Sequence, residues 1–124
     1  MRRRVLLLLL TAATTTLVGA GQPVSIQVNP AVSFAPSTLG IRVRVPPQSE
    51  NRALEIVVDS DDYYRMSRVQ LEGDRAPTVN TLTIPGVPAG GYEVTATVIG
   101  ADGHSRALAR AHVEVMSNGA EPPR

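Results

Sequence analysis

At 124 residues the chain has room for one domain but not two, and it contains no cysteine, which excludes a disulfide scaffold, cysteine-ligated zinc, thiol catalysis and a lipid-modified cysteine. Its formal charge of +1 comes from twelve basic and eleven acidic residues, and three of the twelve, Arg2, Arg3 and Arg4, stand at the extreme N-terminus. Without those three the charge is −2, there is no lysine and no arginine cluster, so the electrostatic footprint of a nucleic-acid binder is absent.

The chain opens with MRRRVLLLLLTAATTTLVGAGQP: a basic start, an apolar run from Val5 to about Val18, then the small residues Gly19, Ala20 and Gly21. That is the layout of a secretory signal peptide. The apolar run falls short of the roughly 20 residues that a spanning helix needs, and four threonines interrupt it. Residues 1–20 are therefore expected to be a cleaved leader, with no permanent membrane anchor and a secreted or periplasmic product of 104 residues starting at Gly21.

Beyond the leader the apolar residues alternate, the pattern of half-buried strands. VSIQV sets Val24, Ile26 and Val28 on one face, and LGIRVRV sets Leu39, Ile41, Val43 and Val45 inward with Arg42 and Arg44 outward. ALEIVVD places Leu54, Ile56 and Val58 inward. After the acidic stretch DSDD the phase changes, with Tyr64 and Met66 on one parity and Val69 and Leu71 on the other, which predicts two short strand pieces separated by a bulge or a change of sheet. VNTLTI turns Leu82 and Ile84 inward, YEVTATVIG turns Tyr92, Val94, Ala96 and Val98, and SRALARAHVEV turns Ala107, Ala109, Ala111, Val113 and Val115. Between the last two, Asp102-Gly103 is a strong hairpin signal. Prolines stand between these runs, no window reads as a helix, and the expected fold is an all-β antiparallel sandwich of about seven strands over residues 21–116, followed by a flexible tail at 117–124.

The segment LTIPGVPAGGYEVTATV, from Leu82 to Val98, resembles immunoglobulin-like and fibronectin type III-like sandwiches: an inward-alternating strand, a Pro/Gly corner, then a tyrosine opening the next strand. The resemblance implies an immunoglobulin-like β-sandwich in which Tyr92 packs beneath the corner and bonds to upstream backbone. Its G-x-Y-x-V strand is also similar to prealbumin-like domains of bacterial surface proteins. Lacking cysteine and tryptophan, the chain departs from the antibody-type subclass.

Candidate contact residues lie in VVDSDDYYRMS. Asp59, Asp61 and Asp62 are oxygen ligands of the kind calcium takes, but no glycine and distal glutamate follow at the spacing of a helix-loop-helix site, and a solvated turn explains them as well. Tyr63 and Tyr64 point to opposite faces of an extended segment, so at most one is core and the other is an exposed aromatic of the kind binding loops use, or packs across the mouth of the sandwich. His104 falls in the hairpin and His112 on the outer face of the last strand, with no convergent acid to complete a metal site; no nucleophile elbow or phosphate loop is present. The expectation is a module that is not an enzyme, needs no metal or cofactor and acts by protein–protein interaction or structural support. The alternative is a module binding carbohydrate or calcium through Asp59–Tyr64. A first mature strand without charge between Pro23 and Pro30 is expected at a sheet edge, with outward-facing Gln27 at the contact, pairing with an unknown protein partner or a second copy by strand addition.

Overall fold

The computed structural model describes residues 24–117, so the expected leader, its cleavage point and nearly all of the expected tail lie outside the described residues. Eight strands occur among the described residues: β1 (Ser25–Asn29), β2 (Val32–Phe34), β3 (Ser37–Arg44), β4 (Asn51–Ser60), β5 (Tyr63–Gln70), β6 (Val79–Val87), β7 (Gly90–Gly100) and β8 (Ser105–Met116), with one short 3-10 turn, Gly73–Arg75. They form a three-stranded sheet in the order β1-β3-β6 and a five-stranded sheet in the order β2-β8-β7-β4-β5. No helix among them is long and apolar enough to cross a membrane.

The alternation of the sequence becomes the two inner faces of this sandwich. Leu39, Ile41, Val43, Val45 and Ile84 from one sheet meet Leu54, Ile56, Val58, Val94, Ala96, Val98, Val113 and Val115 from the other, all buried. Each large aliphatic side chain withdrawn from water contributes about 1.5–3 kcal/mol, and a slip of one residue would turn a whole strand's set outward. Burial thereby holds the register.

Three features depart from the sequence-based expectation. First, β5 is one continuous strand paired residue for residue with β4 from Ala53↔Gln70 to Ser60↔Tyr63, with no bulge. Its inner parity is that of Tyr63, Val69 and Leu71, whereas Tyr64 and Met66 are exposed on the outer face, so no phase break is needed. Second, β2 is too short for any periodicity and pairs in parallel with the end of β8, which makes the five-stranded sheet mixed. Third, Pro85 lies within β6; that strand is a sheet edge, where the missing backbone donor costs no ladder bond.

Candidate functional site

The acidic stretch is a tight hairpin. Ser60 pairs with Tyr63, leaving Asp61 and Asp62 as its two exposed turn residues, and Asp59 pairs with Tyr64 on one side and Glu93 on the other. Short polar side chains that bond or tolerate turn backbone favour this geometry. Asp59 thus sits on the outer face of the five-stranded sheet and the other two at its tip. No group of three metal-ligating side chains gathers among the described residues. Neither His104, which pairs with Asp102 at 3.3 Å, nor His112, which pairs with Glu114 at 3.2 Å, belongs to such a group.

The two tyrosines divide as alternation requires. Tyr64 is 66 % exposed, while half-buried Tyr63 turns inward and meets the Tyr92 ring edge-on, with centroids 5.5 Å apart and planes at 86°, a favoured aromatic arrangement. Tyr92 is buried and its Oη donates to the Pro88 carbonyl at 2.6 Å. The corner ahead of it turns at Gly90, whose φ of 155° suits glycine and where a Cβ would come within 3.5 Å of the tyrosine ring. Burial, with Asp62 and Tyr63 nearby adding to it, pushes the Tyr92 phenol above its ordinary value. The acidic hairpin is consequently propped from beneath by the aromatic pair.

The first strand is at a sheet edge, and its backbone orientation follows from one bond. Val45 N–H donates to the Thr78 carbonyl at 2.7 Å, extending the regular β3–β6 register of Val43↔Asn80 and Ile41↔Leu82. Directly opposed antiparallel residues are alternately hydrogen-bonded and not, so Val43 and Ile41 spend their backbone groups on β6 and Arg44, Arg42 and Gly40 theirs on β1. In the β1–β3 register these pair with Ser25, Gln27 and Asn29. The backbone groups of Ile26 and Val28 therefore face the open edge.

This corrects the expectation for Gln27. Its side chain is exposed on the outer face as expected, but its N–H belongs to the internal ladder, because the residue is opposite Arg42. The residues that offer edge donors and acceptors are Ile26 and Val28, whose side chains point into the core. No local signal identifies them, since the orientation depends on how β3 meets β6.

Edge strands are unequal in how they are guarded. Among the described residues the other edges are β6, which contains Pro85, β2, which is three residues long, the part of β8 ahead of Glu114 that β2 leaves uncovered, which carries Arg106 and Arg110, and β5, which carries Arg65 on its inner parity and Arg68 ion-paired to Glu55. Proline, shortness and inward charge are the usual means of blunting an edge. Within Ser25–Asn29 there is neither charge nor proline.

The outer faces differ as well. Every large hydrophobic exposed among the described residues, namely Val32, Phe34, Tyr64, Met66, Leu108 and Met116, is on the outer face of the five-stranded sheet. On the three-stranded sheet the outer face presents Ser25, Gln27, Asn29, Thr81 and Thr83 around Arg42 and Arg44. A shallow depression of about 90 Å³ there is lined by Ser25, Gln27, Arg42, Arg44 and Val79.

No family model and no curated protein sequence matches the chain. Among solved structures it is similar to superoxide reductase (neelaredoxin) from Ignicoccus hospitalis, at 18 % identity and TM-score 0.53 over 76 % of this chain and 80 % of that one. A further likeness is to a CARDB domain from Pyrococcus furiosus, solved in complex with di-metal ions, at 17 % identity and TM-score 0.52 over 77 % of this chain and 93 % of that one. At such identities the likeness is one of fold. The first of these overturns the expectation that the chain is not an enzyme: a reductase is built on a sandwich of this shape, so the architecture does not exclude catalysis. What the comparisons establish is an all-β, two-sheet sandwich.

Proposed function

We propose that this chain is an exported, immunoglobulin-like β-sandwich module that binds a protein partner by strand addition at β1. The observation that carries the reading is the open edge of β1, where the backbone groups of Ile26 and Val28 point away from β3 and no charge or proline guards the strand. A partner strand laid there would gain main-chain hydrogen bonds, the source of affinity in this recognition mode. The immunoglobulin-like assignment draws on the tyrosine corner on β7 and on β1 and β2, successive pieces of chain that join different sheets. Binding of carbohydrate or calcium at Asp59–Tyr64 has less behind it, because the three carboxylates are divided between a turn tip and a strand face.

Two substitutions at one position test the edge. Ile26→Pro deletes an edge-facing donor and leaves the β1–β3 bonds of Ser25, Gln27 and Asn29 in place, while Ile26→Ala trims the same side chain and keeps the donor. Association measured by sedimentation velocity, or retention of a protein from the exported fraction, should survive Ile26→Ala and be lost in Ile26→Pro. Gln27→Pro should instead weaken folding, since it breaks an internal ladder bond. Association that persists in a folded Ile26→Pro protein rejects the edge as the binding surface.

Export rests on the leader-like residues 1–20. N-terminal sequencing of the protein recovered from outside the cytoplasm should begin at or within two residues of Gly21. Recovery of chains that start at Met1 would remove the assignment.

A further inference from the structure

We infer that the strand accepted at β1 is an acidic one, an extended segment carrying carboxylates on alternate residues. This rests on the strand-addition reading and adds the partner's chemistry. A strand paired to β1 continues the three-stranded sheet, so its outward side chains emerge beside Ser25, Gln27 and Asn29, the outward residues of β1. One strand further in, Arg42 and Arg44 project from the same face, directly opposite Gln27 and Ser25.

Both arginines lack an ion-pair partner among the described residues, whereas Arg68 pairs with Glu55 and Arg106 bonds to Asn51 and Gln48. The face around them is built from serine, glutamine, asparagine, threonine and valine, with no carboxylate on β1, β3 or β6. A net charge of −2 for the chain without its first twenty residues makes this a local reversal of sign.

Adjacent strands are about 4.8 Å apart, which puts an added strand roughly 10 Å from β3. An outward glutamate and an arginine reaching toward each other close that gap beside the uncharged side chains of Ser25 and Gln27. The depression lined by Ser25, Gln27, Arg42, Arg44 and Val79 is the place where they meet. Guanidinium suits this task because its planar fork takes a carboxylate bidentately. Inward residues of the incoming strand would continue the row of Ile26 and Val28 and are best apolar. Alternating apolar and acidic residues follow from the two faces of a single edge.

The probe is a fluorescein-labelled peptide alternating valine with glutamate and ended by prolines, compared with peptides in which glutamine or lysine replaces glutamate. Fluorescence anisotropy at low salt should give binding of the glutamate peptide about threefold to tenfold tighter than the glutamine peptide, the range for two exposed ion pairs, and weaker still for lysine. The advantage should vanish in the double variant Arg42→Gln, Arg44→Gln and shrink at high salt, where screening shortens to a few ångströms. Equal binding of the glutamate and glutamine peptides, abolished by Ile26→Pro, would overturn the acidic partner and leave strand addition standing. Glutamate-peptide binding that ignores Ile26→Pro but needs the arginines would overturn strand addition. If wild-type protein binds none of the three peptides, both fall.

Discussion

Replacing Tyr92 by phenylalanine is expected to lower stability by about 1–3 kcal/mol, the cost of stranding the Pro88 carbonyl without its donor. Replacement by alanine is expected to cost about 3–5 kcal/mol, as for other buried aromatic truncations. The two substitutions separate two roles. The hydroxyl closes the corner between β6 and β7 through its 2.6 Å bond to Pro88, and the ring fills the end of the core where it supports Tyr63. Urea denaturation monitored by circular dichroism reads both, and an unchanged midpoint in the phenylalanine variant would dissolve the corner. Alkali offers an independent check. With the folded phenol pushed above its ordinary value of 10.0, the unfolded chain releases this proton first as pH rises. The stabilisation is complete below the unfolded value and is lost as pH climbs through the folded one. Wild-type protein should therefore lose stability above about pH 10 more steeply than Tyr92→Phe, which has no proton to release there.

The second large effect is expected at the opposite end of the sandwich. Asn51 is only 4 % exposed, and its side chain ties the β3–β4 connection to β8: Nδ2 donates to the Pro46 carbonyl at 3.3 Å, and Oδ1 accepts from Arg106 Nε at 3.2 Å. Arg106 then donates to Gln48 Oε1 at 2.7 Å, and Ala101 N–H to the Glu50 carbonyl at 3.0 Å. Asn51→Ala leaves the Pro46 carbonyl without this donor and removes an acceptor from a charged guanidinium, so a loss of about 1–3 kcal/mol is expected. Asn51→Asp keeps an acceptor for Arg106 and should recover part of it. Thermal unfolding of the three proteins measures the ordering, and equal midpoints for all would show that Asn51 contributes nothing beyond its backbone.

Much of this architecture was legible because strand alternation is a local property. Period alone turns Leu39, Ile41, Val43 and Val45 inward, and they are buried; the same holds for Val94, Ala96 and Val98. The hairpin at Gly100–His104 was readable from Asp102-Gly103, where Gly103 adopts φ 83° and the His104 N–H donates to Asp102 Oδ1 at 3.0 Å. Tyr92 was readable from its place after a Pro/Gly corner. β5 escapes a local reading because Tyr64 and Met66 are large and apolar enough to look like core, yet at a sheet edge their parity is outward. β2 leaves no signal in the sequence because three residues make no period.

The residues alone set which side chains face the core in the longer strands other than β5, where the chain turns, and that the first strand carries no charge. Those properties depend on neighbours one to five residues away. Which strands lie side by side, that β2 runs parallel to β8, and which backbone groups of β1 remain unpaired follow from contacts between distant parts of the chain. The side chain of Gln27 could be placed outward from alternation, but its N–H could be assigned to β3 only through the bond between Val45 and Thr78, two strands away. Hydrogen-bond direction alternates with a phase set by the partner strand, and that phase is absent from the residues of the strand itself.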